Sequence, residues 1–177
     1  MRVSCSPVHA VIFCLLSAVV CHFAGCGYRL AGSGTMPGGI GSVCVVVFEN
    51  RTSRADAGSI FSNSLVYEFT RRGGVDLAGE AEAEARLTGT VVSLATDTIT
   101  HRDRYASDEM RVRAVLDVQL VSRDGDVLWS VMGLADRETY EVAGSAAYLT
   151  EESKKAAIMR LSEKMAETIY NRMTADF

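Results

Sequence analysis

The residue whose surroundings most clearly prescribe a covalent chemistry is Cys26. It stands in Phe23-Ala24-Gly25-Cys26-Gly27, a lone thiol behind small residues. Upstream lie Arg2, a strong cation, and a dense apolar run from Val11 to Ala24. Ser17 and His22 interrupt that run, and it is too short for a membrane span. A basic start, an apolar run and small residues make the pattern of a secretory leader. A plain leader has no use for a cysteine just after the cut. A bacterial lipobox does, because the sulfur takes a diacylglyceryl thioether before cleavage on its amino side. Phe23 stands where Leu is commoner. The expected divisions are residues 1–25 as a lipoprotein signal peptide, 26–41 as lipid anchor and flexible tether, and 42–177 as one folded domain. Each buried methylene of the anchor contributes about 0.8 kcal/mol, so several acyl chains hold firmly.

Other chemistries lack their residues. Cys5, Cys14 and Cys21 belong to the leader, which leaves Cys44 without a disulfide partner and predicts a small core residue. His9 and His22 also fall in the leader, so His101 is the single imidazole of the working chain. No nucleophile motif accompanies it, and HExxH, P-loop and paired CxxC patterns are missing. No catalytic residue, metal ligand or cofactor is expected, and the chain reads as a non-enzyme. Its formal charge of −4 becomes −5 once Arg2 leaves, so attraction of a polyanion must be local; nucleic acid is not an expected partner. Two groups of cations qualify. Arg102 and Arg104, in His101-Arg102-Asp103-Arg104, adjoin Arg111 and Arg113 on the next strand; Lys154 and Lys155 open the last helix. Guanidinium forks match phosphate geometry. The plainer alternative is solvated charge, offset by Asp103, Asp108, Glu109 or Glu151.

The elements that position these residues follow from periodicity. Ala31 to Gly39 is rich in Gly and suits a tether. Ser42 to Phe48 is a nearly continuous apolar run, which predicts a strand covered on both faces. Glu49 to Ser53 reads as a polar turn. Asp56 is placed to cap a helix reaching Arg72, with Phe61, Leu65 and Phe69 as its buried stripe and Gly73-Gly74 as its stop. Val75 to Ala78 is a short strand, parallel to the first by the right-handed crossover rule. Arg86 to Thr100 is a long strand in which Gly89 is a candidate bulge. Met110 to Ser122 alternates apolar residues with Arg111, Arg113, Asp117 and Gln119, so one face packs and the other is wet. Asp124-Gly125 predicts a hairpin into Val127 to Thr139, with Trp129 as core anchor. Thr150 is placed to cap the last helix, whose buried stripe is Ile158, Leu161, Met165 and Ile169. The order β-α-β-β-β-β-α predicts an α+β fold: a two-layer α/β sandwich, a mixed sheet of four to five strands with both helices on one face.

Three segments in order carry a family resemblance across nearly the whole mature chain. They are Cys26-Gly27-Tyr28-Arg29-Leu30, Phe48-Glu49-Asn50-Arg51-Thr52 and Tyr140-Glu141-Val142, with an acidic, Ala-rich stretch leading into Leu87-Thr88-Gly89. Together they resemble the lipopolysaccharide-assembly lipoprotein family, LptE. The resemblance implies a lipid-anchored outer-membrane protein that plugs a large β-barrel of the LptD type, assists its assembly, and binds lipopolysaccharide on its way to the surface. Gly27 fits that address, since enteric lipoproteins held at the inner membrane carry Asp there. The chain departs from some relatives in having no polar tail after Phe177. The competing expectation is a lipoprotein adaptor regulating a peptidoglycan synthase or a secretion pore, whose domains also begin strand–helix–strand with a Phe-x-Asn turn.

Overall fold

The computed structural model describes residues 36–99, 109–142 and 147–175. The leader, Cys26, and the loop carrying His101, Arg102 and Arg104 lie outside the described residues. The elements are β1 (Ser42–Val45), β2 (Glu49–Asn50), α1 (Ala57–Arg72), β3 (Asp76–Leu77), β4 (Ala85–Ile99), β5 (Glu109–Ser122), β6 (Val127–Glu141) and α2 (Ala147–Ala175). They form the expected two-layer sandwich. The strand order is β3-β1-β4-β5-β6, with β2 joined to β4. β1 runs parallel to both β3 and β4, whereas β4, β5 and β6 form an antiparallel meander, so the sheet is mixed.

One layer of apolar side chains joins sheet to helices. β5 supplies Val112, Ala114, Leu116, Val118 and Leu120, each at most 1% exposed, and α2 supplies Ile158, Leu161, Met165 and Ile169. Trp129 is buried as expected, and Tyr170 and Met173 extend the α2 stripe by another turn. β4 must change parity to keep its apolar residues in this layer. Ala85, Leu87 and Val91 face inward on odd positions, whereas Leu94 packs on the core from an even one. The switch is a bulge between Val91 and Ser93, where one extra residue turns the following side chains over.

The bulge is thus not at Gly89, which has another use. A methyl group there would sit 2.6 Å from the Phe48 ring, so the missing side chain is what lets that ring reach the core. The run Ser42 to Phe48 is correspondingly not one strand. β1 ends at Val45, Phe48 turns inward, and Glu49–Asn50 rejoins the sheet as β2 beside Thr90 and Val91. Nor is the first strand covered on both faces. Cys44 is half-buried beside Arg86 on the side away from the helices, so it is not a core residue.

Asn50 organises the turn into α1. Its Oδ1 accepts from the Thr52 amide and hydroxyl, at 2.9 and 2.8 Å, and its Nδ2 donates to the Arg54 carbonyl at 2.7 Å. Asp56 occupies the cap position, but its carboxylate pairs with Arg54 instead of capping the helix. Gly73, at φ 66°, ends α1 and donates to the Phe69 carbonyl, a left-handed stop that suits glycine. α2 begins at Ala147, so Thr150 lies inside it; the preceding Ala147, Tyr148 and Leu149 contain no helix breaker. Met36 and Pro37, read as tether, are buried, and Met36 belongs to the core cluster.

A charged network ties the helices together at one end. Glu68, 5% exposed, accepts from Arg71 and Arg72, and Arg72 continues to Glu167 on α2. Arg72 lies over the Tyr170 ring, whose hydroxyl donates to the Gly73 carbonyl at 3.1 Å. Burial pushes the Tyr170 phenol above its ordinary range, with Arg72 opposing. Deeper between the helices, the Ser64 and Ser162 hydroxyls bond at 2.8 Å.

The Phe48–Gly89 fit is testable. Gly89→Ala should cost about 1–3 kcal/mol in urea unfolding through overpacking. Adding Phe48→Leu should recover part of that loss; a strictly additive double variant would show that the two positions do not touch.

Candidate anion-binding site

Because both helices pack on one side, β4, β5 and β6 leave their other face open. The same alternation that buries Val112 and Ala114 turns Arg111, Arg113, Val115, Asp117 and Gln119 outward, as the sequence predicts. Directly opposite residues of an antiparallel pair share a face. The cross-strand rows can therefore be read from the register: Asp97, Arg111 and Thr139 in one, Ala95, Arg113 and Arg137 in the next, then Ser93, Val115 and Ala135. Beyond Arg111, toward the strand ends, Glu109 stands opposite Glu141.

A shallow depression of about 470 Å³ is lined by Asp97, Arg111, Arg113, Ala135, Asp136 and Arg137. Its notable feature is Arg113 facing Arg137 across the strands. Like charges directly opposite destabilise a sheet. Among the described residues, none of the guanidinium groups of Arg111, Arg113 and Arg137 has an ion-pair or hydrogen-bond partner, and the Nε of Arg111 is buried without one. Several other basic residues are paired: Arg51 with Glu49, Arg54 with Asp56, Arg86 with Glu80, Arg160 with Glu138 and Lys164 with Asp136.

Arg137 sits in Asp136-Arg137-Glu138, a run whose acids flank it in sequence. The fold separates the three. Asp136 and Glu138 stand opposite the inward residues Ala114 and Val112, and Lys164 and Arg160 of α2 hold them at 3.0 and 3.1 Å. Arg137 goes to the other face. Its signal was available in register terms: the Asp124-Gly125 hairpin sets Arg113 against a residue near position 137.

The described members of the two predicted cation groups lie on opposite sides of the sheet. Arg111 and Arg113 stand together on the open sheet face. Lys154 is half-buried and Lys155 exposed on α2, which covers the opposite face of the sheet. Arg102 and Arg104 fall outside the described residues. A second depression, of about 480 Å³, lies farther along the open face around Glu49, Arg51, Thr90, Asp117 and Met132. Its carboxylates already have partners: Arg51 holds the Glu49 carboxyl below its usual range, and Asp117 accepts from the Gly133 amide at 2.7 Å. Among the described residues no cluster of His, Cys, Asp and Glu could hold a metal ion, and no helix is long and apolar enough to cross a membrane.

The described segments among those that carry the resemblance have structural work in this fold. Phe48 fills the core over Gly89, Asn50 builds the turn, and Tyr140 is buried with its hydroxyl 3.4 Å from the Met110 sulfur.

Relief of like-charge repulsion gives a direct check on the arginine pair. Arg137→Gln should leave thermal stability unchanged or raise it by about 0.5 kcal/mol. A clear fall in melting temperature would mean that the guanidinium supports the fold.

Known proteins agree with this architecture. The rare lipoprotein B from Shewanella oneidensis superimposes with a TM-score of 0.51 at 12% identity, covering 73% of this chain and 94% of that one. The uncharacterized lipoprotein B from Nitrosomonas europaea gives 0.50 at 15% identity, covering 84% and 91%. At such identities the likeness shows the fold alone. No curated protein matches the chain. The lipopolysaccharide-assembly family model, LptE, matches residues 40–173, and the chain belongs to that family of non-catalytic lipoproteins.

Proposed function

We propose that this protein is an outer-membrane lipoprotein, anchored by an acylated Cys26, that plugs a large β-barrel translocon of the LptD type and binds lipopolysaccharide during its delivery to the cell surface. The observation that carries the reading is the family match over residues 40–173, which takes in every described strand and nearly all of α2. The physical form supports it. A plug in a watery lumen needs a compact body with polar outer surfaces, and the open face of the sheet is largely polar or charged from Arg86 to Thr139. Lipopolysaccharide is polyanionic at its inner sugars and lipid A phosphates, so its contacts call for arginine. In this reading Arg102, Arg104, Arg111 and Arg113 make those contacts. Lys154 and Lys155, on the helical side, fall outside this reading, which puts the contacts on the open face.

Purification of the full chain from membranes in mild detergent should bring down a large outer-membrane β-barrel in near-equal amount. Recovery of an inner-membrane peptidoglycan synthase in its place would overturn the proposal and favour the adaptor role. Cys26→Ala should release the domain into the soluble periplasm. Continued membrane attachment of that variant would contradict the lipobox reading.

A further inference from the structure

We propose that Arg113 and Arg137 together clamp a phosphate monoester on the open face of the sheet, with Arg111 as a third donor beside them. The inference rests on the preceding reading only for what molecule carries the phosphate.

Three observations converge on it. Arg113 and Arg137 stand directly opposite each other on β5 and β6, and the third residue of their row, Ala95, brings no charge. Neither has an ion-pair or hydrogen-bond partner among the described residues, although carboxylates are plentiful nearby. The acids adjoining Arg137 in sequence are committed elsewhere, to Lys164 and Arg160. A fold that sorts charge in this way leaves repulsion on one face for an outside anion to relieve.

The shape of the surface favours phosphate over a carboxylate. Two guanidinium groups on adjacent strands carry two positive charges, more than one carboxylate can neutralise. A phosphate monoester presents three acceptor oxygens and a charge of about −1.5 to −2, enough to bridge both. Arg111 lies one row away, with its Nε buried and unpartnered. The flanking rows set the direction of approach. Asp97 and Glu141 repel an anion from the strand ends. Ser93, Val115 and Ala135, on the other side, form a small, uncharged shelf over which the body of the ligand can lie.

The test uses the full lipidated chain in nonionic detergent, with diphosphoryl lipid A, its enzymatically dephosphorylated form and inorganic phosphate as probes. Arg113→Gln and Arg137→Gln are compared with Arg172→Gln, which removes the same charge from the exposed end of α2. Each of the first two should bind diphosphoryl lipid A about tenfold more weakly, as expected for losing a charge-assisted contact, while Arg172→Gln binds like the parent. Their melting temperatures should not fall, which separates a ligand contact from a structural one. Competition by inorganic phosphate would identify the phosphate itself as sufficient; dependence on the intact headgroup would assign the site to the glycolipid.

Unchanged lipid A binding in both variants overturns the clamp. Loss of a co-purifying protein with lipid A binding intact also overturns it, and makes the pair a contact for protein carboxylates. If reversing Arg102 and Arg104 abolishes lipid A binding while Arg113→Gln and Arg137→Gln do not, the clamp falls and the proposed function stands. If the parent binds inorganic phosphate through this pair but no lipid A, the clamp stands and the lipopolysaccharide reading falls.

Discussion

The constraint on which the rest of the molecule depends is the one-sidedness of its three long strands. Along β5 the even positions are buried without exception from Val112 to Leu120, and the odd ones carry Arg111, Arg113, Asp117 and Gln119. A strand has no third direction, so the apolar layer that recruits α1 and α2 also fixes which residues stay outside. β4 obeys only by inserting a bulge between Val91 and Ser93, and β6 by another at Gly133, whose φ of 66° suits glycine. Without the first bulge, Leu94 would point to water and Asp97 into the core.

Charge follows the same division. On the covered side every acid of β6 meets a base from α2, so Asp136 and Glu138 serve to dock helix on sheet. Exposed pairs of this kind contribute little individually, roughly 0–1 kcal/mol each, but they remove the acids that would otherwise neutralise Arg137. Arg160 also donates to the Thr139 carbonyl, and the Asp136 carboxylate accepts from the Arg137 amide. Side chains thereby occupy backbone groups along β6, the long edge of the sheet, which discourages pairing with a further strand.

Much of this was legible in sequence because it rests on local periodicity. The alternation in Met110–Ser122, the 3.6-residue stripe of Phe61, Leu65 and Phe69, and the glycine stop at Gly73 each report their own surroundings. What was not legible depended on contacts distant in sequence. Gly89 looks like a bulge until Phe48, far back in the chain, is seen to lie over it. Cys44 looks like core because its neighbours are valines, yet β1 is covered on only one side. Of the candidate site, Arg111 and Arg113 were visible as outward residues of one strand. Arg137 required the β5–β6 register.

In the proposed function the bare side of the sheet is the working surface and the helical side is scaffold. Photocrosslinking in living cells tests it most directly, with a light-activated residue placed at Ala135 on the open face or at Met159 on the exposed side of α2. A lipopolysaccharide adduct should form from position 135 and none from 159. An adduct from 159 with none from 135 would contradict it.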